Sequence, residues 1–338
     1  IEMMDTIVIF GATGSVGVYT ALFLKKKGYN IIAVGQRKSD NGFFAEYDIP
    51  YYSVNIANKN DFNILPVSGV DQVLHFAGAM PARMQGYDPY QYVNSIITGT
   101  LNVLEYIRKV NALKVIFTQS IADVLHLFGS TDPISPDSVR KFPLIGDHSI
   151  YSISKNAAVD LIEHYFNQYA IKRFILRLPT IYVYHPNPYY YVDGVRKWMG
   201  YRYLIDRAIN GKELEIWGDP FSKKEIVYVK DFVQIVDKCV QSSLDGGIYN
   251  VGRGIGVTLE EQIQGIIDVF CPVGVRSKIR YCPEKKDSPQ FILDVTKTIE
   301  ELGYIPNYDY KSYLNDFKKE MQAERFCKLW GRKEDFYL

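Results

Sequence analysis

The stretch Thr6-Ile7-Val8-Ile9-Phe10-Gly11-Ala12-Thr13-Gly14-Ser15-Val16-Gly17 decides the fold. A five-residue apolar run leads straight into a turn punctuated by three glycines at GxxGxxG spacing, and a helical pattern runs from Gly14 to Lys27. A pyrophosphate can approach a backbone closely only where no Cβ intervenes, and a helix start offers free N–H groups and the positive end of a dipole. Between a strand and a helix, the turn reads as a dinucleotide cradle, with Gly11, Thr13, Gly14, Ser15, Val16 and Gly17 as its contacts.

The same texture recurs down the first half. Asn30 to Gly35, Gln72 to Phe76, Lys114 to Thr118 and Arg173 to Leu178 read as buried strands, and Pro89 to Val110 and Ser152 to Tyr169 as helices. Strands alternating with helices predict an α/β chain with a Rossmann-type doubly wound parallel sheet, whose ligand lies beyond the carboxyl ends of the strands. After Leu178 the texture changes. The segment Pro179 to Tyr203 is rich in tyrosine, proline and asparagine and reads as loop. Smaller elements follow: a helix near Tyr201 to Asn210, a strand at Glu213 to Trp217, a strand and helix at Ile226 to Ser242, and a helix at Leu259 to Phe270. The expected division is a dinucleotide-binding domain over residues 1–178, rejoined by about 225–245, and a smaller mixed α/β substrate-binding domain over 179–338.

A second motif, Tyr151-Ser152-Ile153-Ser154-Lys155, opens the Ser152 to Tyr169 helix. Residues four apart share a helix face, so Tyr151 and Lys155 converge, and a nearby ammonium favours the phenolate form of a general acid or base. Ser120 follows the strand Lys114 to Phe117, where its hydroxyl would steady a substrate oxygen beside Tyr151; Thr118 is the second hydroxyl there. The bland alternative is a helix-surface pair with a turn serine. At the cofactor end, an NAD site expects an acidic residue at the close of the second strand. This chain has Gly35-Gln36-Arg37 instead, and arginine suits a 2′-phosphate, so NADP is favoured over NAD unless Arg37 and Lys38 are simply a solvated loop. Asn55 and Ile56, after the Tyr51 to Val54 run, are placed at the adenine. Phe76, Ala77 and Gly78 end another strand with small residues against which a cofactor can lie. Met80 and Arg83 follow and are assigned to the substrate, Arg83 meeting an anion.

Composition excludes several classes. The 39 basic and 38 acidic side chains among 338 residues nearly cancel, so no global field recruits nucleic acid or an anionic membrane. Cys239, Cys271, Cys282 and Cys327 show no CxxC spacing and read as free thiols of a cytoplasmic protein. The five histidines show no ligand spacing, so no metal site is expected. The first apolar run is too short for a signal or membrane segment. Tyr182, Tyr184, Tyr189, Tyr190 and Tyr191 suit either base stacking or packing, and the tail from Lys318 to Leu338 either a docking helix or oligomer contacts.

From Ile7 to about Pro306 these motifs resemble the extended short-chain dehydrogenases/reductases of the NAD-dependent epimerase/dehydratase group, most of which act on nucleotide sugars. Tyr92-Val93-Asn94-Ser95 through Leu104 is similar to that family's central helix and Leu176-Arg177-Leu178-Pro179 to its strand entering the substrate lobe. Val227-Tyr228-Val229-Lys230-Asp231, Tyr249-Asn250-Val251-Gly252 and Asp294-Val295-Thr296-Lys297 match later landmarks. The resemblance implies that Ser120, Tyr151 and Lys155 form a catalytic triad, that Lys155 touches the nicotinamide ribose, and that Asn94, Pro179 and Thr180 meet the cofactor. It also implies a homodimer through the helices at Pro89 to Val110 and Ser152 to Tyr169. Thr118-Gln119-Ser120 replaces the dehydratases' Thr-Asp-Glu, which speaks against water elimination, and Lys224 stands where an arginine grips the sugar-nucleotide diphosphate. The expected activity is NAD(P)-dependent epimerisation of a nucleotide sugar. The alternatives are an NADPH-dependent reductase of a keto-sugar or other carbonyl and a non-catalytic dinucleotide sensor.

Overall fold

The computed structural model describes residues 4–146 and 148–337. Strand β1 (Thr6–Phe10) is followed by helix α1 (Ser15–Lys27), β2 (Asn30–Gly35), β3 (Tyr51–Ser53) and β4 (Gln72–His75). Then come α2 (Pro89–Tyr92), a π-helical turn (Val93–Thr98), α3 (Gly99–Val110), β5 (Lys114–Ser120), α4 (His148–Tyr169) and β6 (Lys172–Leu178). The chain continues through β7 (Thr180–Tyr182), β8 (Tyr189–Val192), β9 (Val195–Trp198), α5 (Gly200–Ile209), β10 (Leu214–Trp217), β11 (Lys223–Lys224), β12 (Ile226–Tyr228), α6 (Val229–Gln241) and β13 (Gly246–Asn250). It closes with β14 (Val257–Thr258), α7 (Leu259–Phe270), β15 (Ile279–Cys282), α8 (Thr296–Leu302), α9 (Tyr310–Ala323) and α10 (Cys327–Trp330).

Seven strands form one parallel sheet in the order β13-β6-β5-β4-β1-β2-β3. The order reverses between β1 and β4, and such a switch point opens a crevice at the carboxyl ends of the strands. β1 is covered on both faces, which is why it reads as a continuous apolar run. Its odd residues, Ile7 and Ile9, join the core beneath α1 and α6, whereas Val8 and Phe10 join the core beneath α3 and α4.

The second half departs from the sequence reading in two places. Pro179 to Tyr203 is not loop: β7 is followed by an antiparallel hairpin with Tyr189 opposite Trp198 and Val192 opposite Val195. Its two-residue turn, Asp193-Gly194, has both φ values positive, the geometry that an Asp-Gly pair supplies. Nor does the Ile226 to Ser242 piece add a strand to the large sheet. β12 pairs with β7, α6 packs on α1, and the strand that enters the sheet beside β6 is β13. The lobe between is a set of two-stranded sheets, β10 with β15 and β11 with β14, packed on α5, α7 and α9. Aromatic rings fill it. Tyr182 stacks on Tyr201 at 4.2 Å between ring centroids and Tyr228 on Tyr313 at 5.5 Å, so Tyr182 and the buried Tyr184 are core residues rather than a base platform. All four cysteines are free, and no described helix is long and apolar enough to cross a membrane.

Candidate active site

The glycine turn has the geometry its spacing requires. Gly11 sits at φ 81, and a Cβ there would lie 2.6 Å from the Phe76 backbone at the end of β4. A Cβ on Gly17 would come within 2.0 Å of Gly11 O, so the first turn of α1 lies directly against the loop. Gly11 N–H and Ala12 N–H both donate to Val34 O, at 3.0 and 3.1 Å, which pins the loop to β2. Ser15 and Val16 open α1, whose first turn carries no acidic residue and whose last carries Lys25, Lys26 and Lys27. Free N–H groups with the positive dipole end therefore face an anion unopposed.

A cleft of about 660 Å³ opens beside this turn. Of the residues expected at the cofactor, Gly11, Thr13, Gly14, Gln36, Asn55, Ile56, Phe76, Ala77, Gly78 and Asn94 line it, as do Met80 and Arg83. A side chain at Gly11 would strike the Phe76 and Ala77 backbone, so the sheet's end stays open there for a flat ligand. The residues thus fit a dinucleotide. At Gly35 a Cβ would lie 2.9 Å from Thr13 Cγ2 and 3.0 Å from the Tyr51 hydroxyl, which explains why no carboxylate ends β2. Arg37 does not line the cleft; its carbonyl accepts from the Tyr51 hydroxyl at 2.5 Å and its side chain is exposed.

Ser120, Tyr151 and Lys155 gather at the carboxyl end of β5, one strand beyond the switch point. Ser120 ends β5 and caps the 3-10 turn Ile121–Leu127, its Oγ accepting from Ala122 N–H at 3.1 Å. The Tyr151 phenol feels the Ser120 side chain and packs edge-on against Tyr92, ring centroids 5.9 Å apart, two positions before the cleft residue Asn94. Lys155 is buried; its Nζ donates to Thr118 O at 2.8 Å and lies 4.5 Å from the centre of the Phe117 ring. Burial pushes the Tyr151 phenol up to about 12, against the opposing pull of the Ser120 side chain. Burial also draws Lys155 down to about 8. The expected lowering of Tyr151 by the ammonium is therefore not its main influence: Lys155 points at the strand carbonyl. Behind it, His75 is fully buried, bonded through Nε2 to Thr100 Oγ1 at 2.9 Å, and held neutral at about 3 by burial and then by Lys155.

Ser120, Tyr151, Lys155 and Thr118 do not themselves line the cleft, nor do Ser15, Val16 and Gly17, and the remaining assignments fall away from it as well. Lys224 is buried against the 287–289 loop, paired with Asp287 at 3.1 Å and donating to Ser288 O and to Pro289 O at 3.1 Å. Its ammonium is already matched within the lobe, contrary to a free diphosphate contact. Pro179 and Thr180 follow β6 and begin β7, next to the triad's strand but not in the cleft wall. No group of three or more metal-ligating side chains gathers among the described residues. Sequence reading missed three features. Tyr90, Gln91 and Ser95 line the cleft, and Ser95 Oγ takes the Ala79 N–H at 2.9 Å; the π-helical register that puts it there leaves no mark on composition. Trp330, 317 positions away, donates to Thr13 O at 2.8 Å. His185, kept neutral by burial and by Arg83, Arg202 and Arg37, lies against that indole.

Residues 7–252 match the model of the NAD dependent epimerase/dehydratase family. The chain belongs to that family. Among curated relatives it is 23% identical to UDP-glucuronate 4-epimerase 5 of Arabidopsis thaliana, over 93% of this chain and 74% of the relative. It is 24% identical to an uncharacterized protein of Methanocaldococcus jannaschii, over 93% of this chain and 86% of that one. Its fold is similar to that of the Thermotoga maritima UDP-glucose 4-epimerase solved with UDP-glucose, with a TM-score of 0.74, 21% identity, and coverage of 94% of this chain and all of that one. It also resembles the Bacillus cereus UDP-glucuronic acid 4-epimerase solved with UDP-glucuronic acid and NAD, with a TM-score of 0.70, 19% identity, and coverage of 94% and 99%.

Proposed function

We propose that this protein is an NAD(P)-dependent epimerase of a nucleotide-activated sugar, with Ser120, Tyr151 and Lys155 as its catalytic residues. The observation that carries the reading is Ser120 and Tyr151 beside buried Lys155 at the end of β5, two strands from the glycine cradle that follows β1 and opens on a cleft large enough for a dinucleotide. Relatives along most of the chain that are named as UDP-sugar 4-epimerases support it. What the cofactor supplies when bound is a hydride acceptor that becomes a hydride donor. Tyr151 removes the proton of a sugar hydroxyl as the carbon beneath it loses hydride, and returns that proton after hydride reaches the opposite face of the transient ketone. Ser120 steadies the oxygen through both halves. Lys155 supplies the positive charge that offsets the cost of a buried phenolate.

Gln119 supports the absence of a dehydratase step. It occupies the position where elimination needs a carboxylic acid, and its Oε1 accepts the Ser120 N–H at 2.8 Å. For the cofactor we take NAD; Arg37 is the group that would meet a 2′-phosphate, and competition between NAD and NADP tests it. We further propose that Arg83, in the cleft, meets the substrate's anionic part. The protein works as a homodimer in the cytoplasm, where four free thiols stay reduced.

The test is mass spectrometry of small molecules released when freshly purified protein is heat-denatured, paired with chromatography of UDP-glucuronate and UDP-glucose after incubation. Stoichiometric NAD and appearance of the C4 epimer of either sugar is the expected result. An empty site that binds only NADPH would return the reductase, and a bound dinucleotide without turnover of any nucleotide sugar the sensor.

A further inference from the structure

The last helix, α10, is docked between the glycine turn and the substrate lobe. Trp330 is 6% exposed, and its Nε1–H donates to Thr13 O at 2.8 Å. The other polar group of that same peptide unit, the Gly14 N–H, donates to Gly11 O at 3.1 Å. Both ends of the Thr13–Gly14 peptide are taken, so its plane is fixed immediately before Ser15 and Val16, whose N–H groups open α1. Other contacts hold α10 and its approach in place. The Phe326 ring lies 4.9 Å from Tyr19 of α1 and 5.7 Å from Phe43, Asn41 Nδ2 donates to Lys328 O at 2.8 Å, and Lys328 pairs with Glu46. The opposite side of the indole meets the substrate lobe: the His185 ring is 4.7 Å away, and the His185 carbonyl accepts from Arg202 Nη1 at 2.5 Å.

We propose that Trp330 is a positioning residue for the dinucleotide, holding the Thr13–Gly14 peptide in the orientation that aims the α1 N–H groups at the pyrophosphate. A loop whose peptide planes are set before binding loses less freedom when it closes on an anion. A glycine-rich turn needs such a brace more than other turns, because glycine gives up the most conformational freedom on being ordered. The indole suits the task because its single N–H only donates and its ring packs on Phe326 and His185, so the bond is presented from a rigid wall. The inference rests on reading the cleft as a dinucleotide site.

The test compares wild type with Trp330→Phe, which keeps an aromatic ring between Phe326 and His185 and removes the donor together with part of the indole's bulk. Three readouts are needed: the melting temperature of ligand-free protein, the dissociation constant for NADH by fluorescence titration, and the Trp330 emission itself in a Trp198→Phe, Trp217→Phe background. The expected result is a ligand-free melting temperature lowered by a few degrees, an NADH dissociation constant raised about five-fold, and Trp330 emission that falls as NADH binds. Equal NADH affinity in wild type and Trp330→Phe overturns the proposal while leaving the cleft assignment standing. A Phe326→Leu variant that lowers the melting temperature as much and weakens NADH binding equally also overturns it, since the indole is then only packing. A wild type that binds no dinucleotide overturns the reading of the cleft itself, and this inference with it.

Discussion

Tyr151, the proposed base, is held at about 12 by its burial, and the lysine four residues on is itself drawn down to about 8. At neutral pH the lysine is charged and the tyrosine protonated, so the phenolate forms only with help from that charge. Tyr151→Phe deletes the proton carrier and leaves the cleft untouched; turnover is expected to fall by about 10³-fold with the released cofactor still stoichiometric, read by a coupled epimerase assay and mass spectrometry. Lys155→Met removes the charge, so the phenolate fraction at pH 7 drops and the ascending limb of the pH–rate profile moves to higher pH; a profile that keeps its shape would remove Lys155 from the proton chemistry. That Tyr151 and Lys155 lie on one helix was legible, because helix geometry fixes which side chains share a face. Their electrostatics were not, since desolvation depends on what covers the helix, and Lys155 Nζ is drawn to Thr118 O on a strand 37 positions earlier.

Elements in this fold are joined by a few buried polar groups, and Glu225 is one of them. Fully buried between β11 and β12, it accepts from Arg253 N–H at 2.7 Å, Gly254 N–H at 3.3 Å and Leu293 N–H at 3.1 Å, tying three loops together. Burial nevertheless raises it to about 7, outweighing those donors. A carboxyl whose folded pKa exceeds its unfolded value binds more protons when folded between the two, so its contribution to stability is greatest below about pH 4.5 and is lost as pH rises through about 7. Relative to Glu225→Gln, wild type should lose stability of order 3 kcal/mol between pH 4.5 and 7.5, measured by urea unfolding at each pH. Gly17→Ala tests a different joint. The added methyl collides with Gly11 O, and unfolding is expected to come about 1 to 3 kcal/mol more easily. At this scale the strands of the first half could be read because each is a short apolar run between turn residues. The hairpin at Tyr189 to Trp198 was missed although its Asp193-Gly194 turn was present, because tyrosine, which favours strands, was read there as loop filler. The π-helical turn could not be read, since its register is set by Ser95 reaching Ala79 and by α4 packing across it, both tertiary effects.

Over the whole molecule, chain order and spatial order part company. The strand that completes the sheet beside β6 comes after β12, and a tail that follows the substrate lobe in sequence returns to brace the first turn of the chain. Neither return is written in local pattern, because the partners are separated by 73 positions in the sheet and by 317 at the glycine turn, and only the closed structure brings them together. The proposed homodimer is a claim of the same kind, and the surface offers a specific test of it. Helices α3 and α4 pack side by side, and between them they leave Leu101 39% and Ile153 36% exposed on an otherwise buried apolar framework. A stable pair of chains needs roughly 800 Å² from each partner, and an isologous interface doubles the effect of any change because each residue occurs twice across the two-fold axis. A double variant, Leu101→Asp with Ile153→Asp, therefore places four carboxylates in the proposed contact while leaving the glycine turn, the cleft and Tyr151 alone. Light scattering coupled to size exclusion is expected to give twice the chain mass for wild type and the single-chain mass for the variant, with cofactor retained in both. A monomeric wild type, or a variant that stays paired, would move the dimer contact off these helices.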